Sequence, residues 1–149
     1  MAGAAFAAVN ATAGAAAPKS QVGIVAATVR CRVRGFHIGN TAATSAGGLR
    51  FILNRTTVGT EANTVITTAN TRLDNNSPNP SAAAHSTYTA EPTAGVTVTD
   101  VGFDRVGTYI LWYPPGVEPF ATGTTRLTLQ KTIGTDTDIY AGTLYWAED

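Results

Sequence analysis

A single cysteine, Cys31, stands among the 149 residues of this chain. That excludes an internal disulfide framework and any cysteine-rich zinc site. Cys31 is expected to serve as a small buried apolar residue. Charge is scarce as well: charged residues make up 13%, about half of the roughly 25% usual in globular domains. Ten basic and ten acidic residues cancel to a formal net charge of zero. There is no bulk positive field to hold nucleic acid and no acidic tail. No apolar run approaches the roughly 18 residues that cross a bilayer as a helix. The Ala-rich start lacks the basic n-region of a signal peptide, and its only larger apolar residues are Phe6 and Val9. The expectation is a soluble protein without a sorting signal, with neither nucleic acid nor membrane as a partner.

Chemistry-bearing groups are equally sparse. The two histidines, His37 and His85, are far apart and have no acid at ligand spacing. Asp136 and Asp138 alternate with threonine, but no calcium-type loop surrounds them, and a hairpin turn is expected there. Asp100 and Asp104 are separated by strand-like residues and are expected to flank the start of a strand. No Gly-x-Ser-x-Gly elbow, Walker loop or dinucleotide fingerprint occurs. Gly47-Gly48 lacks the helix that would make it a phosphate cradle. The Asn-x-Ser/Thr matches at Asn10, Asn54 and Asn75 are chance matches in a Thr- and Asn-rich chain. The chain is therefore expected not to be an enzyme, with no catalytic residue, no metal and no cofactor.

What is abundant is threonine and alanine, 25 of each. Threonine favours strands, and alanine fills tight places. Apolar residues at 44% suffice for a core, and the length suits one domain. Residues 1–20 read as an Ala/Gly-rich N-terminal arm, either mobile or ordered by pairing with a neighbour's sheet edge. Residues 21–149 read as the globular domain. There the periodicity is two rather than 3.6. Long strands are expected over 22–36 and 101–113, and others over 49–58, 64–69, 86–91, 124–133 and 139–147, with 96–98 adding to the strand before it. At most one helical turn is expected, at 81–85. About eight strands and no convincing helix point to an all-β, jelly-roll-like β-sandwich.

Two patterns stand out within the strands. Arg30, Arg32 and Arg34 alternate with Val29, Cys31 and Val33, so three guanidinia share one strand face about 7 Å apart. This stripe could dock carboxylates of a partner protein through bidentate pairs, or could be a solvated outer face. In 109–113, Tyr109, Leu111 and Tyr113 share one face and Ile110 and Trp112 the other. Trp112 and Trp146 are expected in or near the core. Tyr109, Tyr113 and Tyr140 are the aromatics available to a sugar-binding face.

Three stretches, taken in order, carry a resemblance: Val29-Arg-Cys-Arg-Val-Arg-Gly-Phe-His-Ile-Gly39, Leu49-Arg-Phe-Ile-Leu-Asn-Arg55, and the closing Tyr140-Ala-Gly-Thr-Leu-Tyr-Trp-Ala-Glu-Asp149. With a Pro-rich loop between, this order resembles small all-β structural proteins of tailed bacteriophages, which end in a similar Gly-Thr-Leu-Tyr-aromatic-acid strand. The likeness covers residues 22–149. It implies a capsid decoration, or cement, protein: a jelly-roll-like module, commonly trimeric, on the outer surface of the major capsid protein lattice. It implies no catalytic residue. The expected partners are then the major capsid protein and sister copies of the chain, with Phe6 and Val9 of the arm and Arg30, Arg32 and Arg34 making the contacts. The alternative is a carbohydrate-binding β-sandwich module on a phage fibre or tail.

Overall fold

A computed structural model describes residues 5–12, 19–26, 28–40, 47–57, 59, 61–67, 71–73, 78–93, 95–104, 106–132 and 140–149. Among these there are eleven strands and no helix: β1 (Ala5–Thr12), β2 (Lys19–Val25), β3 (Cys31–Asn40), β4 (Gly48–Thr57), β5 (Ala62–Ile66), β6 (Ala83–Ala90), β7 (Val96–Asp104), β8 (Thr108–Trp112), β9 (Phe120–Ala121), β10 (Thr125–Lys131) and β11 (Tyr140–Glu148). The all-β class expected from the period-two pattern is what the chain adopts, as a two-sheet sandwich of eleven strands rather than eight. The first sheet runs β1-β11-β3-β8, with β9 also paired to β3; the second runs β5-β6-β2-β10-β4-β7. Every pairing is antiparallel.

The core follows from alternation. Inward positions hold Phe6, Ile24, Val33, Phe36, Ile38, Leu49, Phe51, Leu53, Leu127, Leu129, Leu144 and Trp146, all essentially buried. Each buried side chain of this size contributes roughly 1.5–3 kcal/mol over exposure. An aromatic chain ties the two sheets together: Phe51 meets Phe103 at 6.0 Å, Phe103 meets Tyr109 at 5.6 Å, and Tyr109 meets Phe36 at 6.1 Å between ring centroids. Cys31 is buried, and desolvation, with a smaller contribution from Glu148 and Asp149, pushes its thiol up to about 12. It is therefore an inert core residue.

Several expected boundaries change. The strands read as 22–36 and 101–113 are each two strands, because the chain passes from one sheet to the other within them. The first crossing lies between β2 and β3. The second is the turn between β7 and β8, where Asp104 caps the corner. Its Oδ1 accepts from the Val106 N–H (3.0 Å), and its carbonyl accepts from the Gly107 N–H (2.9 Å). Asp104 thus ends β7, and Asp100 lies within it, paired to Arg50; neither stands at a strand start. Residues 96–98 begin β7 rather than extending the strand before, and 83–85 are strand rather than a helical turn.

The segment read as an arm is part of the sandwich over Ala5–Thr12. It forms β1 and pairs in unbroken register with β11, from Ala5 opposite Ala147 to Thr12 opposite Tyr140. It joins its own chain's sheet, because Phe6 enters the core beside Trp146 with ring centroids 5.5 Å apart. The Asp136–Asp138 turn lies outside the described residues.

On the second sheet, charge is buried on the outward side. His85, Gly23, Thr128 and Asn54 lie side by side across four strands. Thr87 has a left-handed φ of 49°, and Tyr88 after it covers Gly23, where any Cβ would stand 2.3 Å from its hydroxyl oxygen. Arg126 is stacked over the Tyr88 ring (5.7 Å) and pairs with Glu61 (2.5 Å). The His85 Nδ1–H donates to Asn63 Oδ1 (2.5 Å). Burial pushes the His85 imidazole down to about 4, the nearby Arg126 charge adds to this, and Glu61 partly opposes it.

The sign follows from linkage. The unfolded chain protonates this histidine near the ordinary value of 6.5, and the folded chain only near 4. The unfolded state then holds more protons between those values, so stability is full above pH 6.5 and falls as pH drops towards 4. Urea titrations of wild type and His85→Gln across that window are expected to show a steeper loss in wild type. Parallel losses would contradict a neutral folded histidine.

Candidate functional site

The first sheet's outward face gathers most of the side chains singled out from the sequence. Its geometry turns on one irregularity. In the β3–β11 pairing, Tyr145 opposes Gly35 but Trp146 opposes Val33, which leaves Arg34 as an extra residue. This bulge resets the phase of β3. Before it, Cys31 and Val33 point inward and Arg32 outward; after it, Phe36 and Ile38 point inward and Gly35 and His37 outward.

Arg32 and Arg34 meet around Glu118, and these two charges are matched within the chain. The Arg32 Nε–H donates to Asp149 Oδ2, and Arg32 Nη1 lies 4.0 Å from Glu118 Oε2. An Arg34 Nη1–H donates to Glu118 Oε1. Glu118 also accepts from the Gly116 N–H (2.6 Å) and is nearly buried. Its own backbone N–H and that of Gly116 hold its carboxyl below the usual range, helped by Arg34 and Arg32. Arg30 is exposed and lies over the Phe120 ring (4.8 Å), with the Arg55 guanidinium also 5.1 Å from the ring. Two of the three stripe arginines are thus charge-compensated, while Arg30 stacks on Phe120 beside a second guanidinium.

The arm residues separate. Phe6 faces the core, whereas Val9 faces outward with 60% of its surface exposed. Phe6 is therefore engaged by its own chain and is unavailable as a partner anchor.

The aromatics depart from expectation in the same way. Trp146 is buried, but Trp112 is 57% exposed and lies on the outward face. Tyr109, Tyr113 and Tyr140, the expected sugar-facing set, all turn toward the core, and Tyr113 is held there by a 2.6 Å hydrogen bond with the Thr99 hydroxyl. An outward aromatic pair is formed instead by Trp112 and Tyr145, with ring centroids 4.8 Å apart. Both stand beside Gly35 in one cross-strand row. A Cβ at Gly35 would lie 2.7 Å from Trp112 Cε3, so its absence lets the indole lie close against the sheet. Alternation had already placed Trp112 opposite Tyr109 and Leu111, but nothing local told which of the two faces met the core.

Val9, Ile110, Trp112 and Phe120 are the large exposed apolar side chains of this face, with Tyr145 among them. Among the described residues no three His, Cys, Asp or Glu side chains are grouped to hold a metal ion. No family model, no curated protein and no solved structure matches the chain.

Proposed function

We propose that this protein is a virion structural protein that decorates a phage capsid, lying on the outer surface of the shell and bridging neighbouring major capsid protein subunits. The observation that carries the reading is the outward face of the β1-β11-β3-β8 sheet, set with exposed Val9, Ile110, Trp112 and Phe120. Exposed apolar groups gathered on one face mark interaction surfaces. The likeness of residues 22–149 to phage cement proteins supplies the partner.

A bridging protein must hold its shape under strain and make many modest contacts of fixed geometry. Two hydrogen-bonded sheets locked by a continuous aromatic core provide the stiffness. Repetition over a lattice multiplies weak contacts through effective concentration. Arg32 and Arg34 are paired within the chain, so adhesion would rest chiefly on apolar contact and shape, with Arg30 the stripe's salt-sensitive contribution.

Co-sedimentation with capsid shells tests this. Val9→Lys and Trp112→Ala change exposed side chains and should leave the circular dichroism spectrum intact. Each is expected to reduce occupancy about tenfold or more, as truncation of an apolar anchor does. Unchanged occupancy for both would contradict the assignment of this face.

The carbohydrate-binding reading draws support from one observation, the open Trp112–Tyr145 pair, since an exposed ring face can pack against the C–H face of a sugar. Saturable binding to one sugar on a glycan array, abolished by Trp112→Ala, would favour that reading over the first.

A further inference from the structure

The two sheets have four edges, and three of them are blunted. On β1, the Ala7 N–H donates to the Thr71 carbonyl (2.8 Å), and Phe6 bridges to Arg72. On β7, Val98 is an extra residue relative to β4, and Asp100 and Asp104 place carboxylates on the strand. On β5, pairing with β6 runs unbroken only from Thr64 to Ile66. Bulges, charges and caps of this kind are how proteins keep strand edges from pairing.

The fourth edge, β8, has none of these. Its sequence, Thr-Tyr-Ile-Leu-Trp, carries no charge and no proline. Its register with β3 is regular from Gly35–Trp112 to Gly39–Thr108, and no described strand pairs with its other side. The core is also thinly covered along this side. Val98, Val101, Phe103, Tyr109, Leu111 and Tyr113, all on or beside β7 and β8, are only partly buried.

We infer that β8 is the seam of a two-fold dimer, pairing antiparallel with β8 of a second copy of this chain. The parity of the strand fixes the register. The Tyr113 N–H donates to the Arg34 carbonyl (2.9 Å), and the Leu111 carbonyl lies against Gly35. Odd-numbered residues therefore turn their backbone groups to β3, and Thr108, Ile110 and Trp112 turn theirs to the open edge. A two-fold axis beside Ile110 sets Ile110 against its own copy and Thr108 against Trp112. Each of these three pairs can exchange two hydrogen bonds, about six in all.

A second copy suits this edge better than a charged partner does. The strand is neutral and its cross-strand pairs are apolar or aromatic–threonine, so self-pairing sets no like charges together. It would extend the first sheet into a continuous one across both copies and cover the half-buried side chains of the seam. The arrangement is two-fold, where the phage resemblance implies three-fold. It is independent of the capsid reading, since a dimer that binds no shell would contradict that reading alone.

Sedimentation equilibrium of the full chain tests it. Wild type is expected at twice the 15.4 kDa chain mass. Ile110→Lys, which places a charge on the exposed seam, is expected to sediment as a folded monomer, while Val65→Lys on the β5 edge remains a dimer. Amide exchange at Ile110 and Trp112 should be slow in wild type and fast in Ile110→Lys. A monomeric or trimeric wild type, or a dimer indifferent to Ile110→Lys, would overturn the inference.

Discussion

Replacing Trp146 by alanine is expected to lower the stability of the fold by about 3–5 kcal/mol, a large part of the roughly 5–15 kcal/mol available to a domain. Trp146 is fully buried on β11, the strand that joins β1 to β3 in the first sheet. Its ring is the aromatic neighbour of Phe6, so the truncation would leave a cavity beneath the N-terminal strand. β1 is otherwise held by backbone pairing and by alanines, which bury little surface. The loss should thus appear twice: as a lower urea midpoint, and as faster proteolysis within residues 1–18 under native conditions. Trp146→Phe, which keeps an aromatic there, should recover much of the loss. A cost below about 1 kcal/mol for the alanine variant would mean that the inter-sheet core is loosely packed at this point.

The second large effect is expected at the buried ion pair of the other sheet. The Arg126 and Glu61 side chains are each only 3% exposed. Arg126→Met would strand the Glu61 carboxylate in a desolvated site, a loss expected at about 3–5 kcal/mol. Adding Glu61→Gln removes the uncompensated charge, so the double variant should be markedly more stable than the single one. The guanidinium is itself incompletely satisfied: its Nε and Nη1 find no hydrogen-bond partner among the described residues. The intact pair is consequently a weak source of net stability, and the double variant could approach wild type. Equal urea midpoints for the single and double variants would show that Arg126 acts by packing on Tyr88 rather than by charge.

The fold class was legible because period-two alternation survives in nearly every strand. The strand count was not, because period-two apolar residues stand on both sides of each sheet crossing and nothing in the pattern marks the crossing itself. Residues 22–36 carry Val22 and Ile24 before the crossing and Cys31 and Val33 after it, and 101–113 carry Val101 and Phe103 before and Tyr109 and Leu111 after. The arginine stripe was legible for the same local reason. The internal pairing of two of its members was not, since Glu118 lies 84 residues from Arg34 and Asp149 lies 117 residues from Arg32. Likewise, the pairing of residues 5–12 with the terminal strand rests on one local clue, Phe6, within a run of alanines. The inversion at β8 has another cause. Ile110 and Trp112 are more apolar than Tyr109 and Tyr113, so hydrophobicity would bury the wrong face. The tyrosines face inward because Phe36 and Phe103 offer them rings and Thr99 offers a partner for the Tyr113 hydroxyl.

The bulge at Arg34 matters most for function, since it is where backbone irregularity becomes a surface. It turns Gly35 outward, which gives Trp112 its place against the sheet, and it brings Arg34 to Glu118. The resulting face sets exposed Val9, Ile110, Trp112 and Phe120 beside the internally paired Arg32 and Arg34 and the exposed Arg30, while the opposite sheet's outward side is occupied by its own polar network. One sheet can therefore meet a partner while the other faces solvent.

An electron cryomicroscopy reconstruction of capsid particles carrying the bound protein tests that division of labour most directly. The expected result is density on the outer surface of the shell, at junctions between neighbouring capsid subunits, with Val9, Trp112 and Phe120 turned toward the shell. Particles that take up no protein, or copies seated through the Arg126 side of the sandwich, would contradict it.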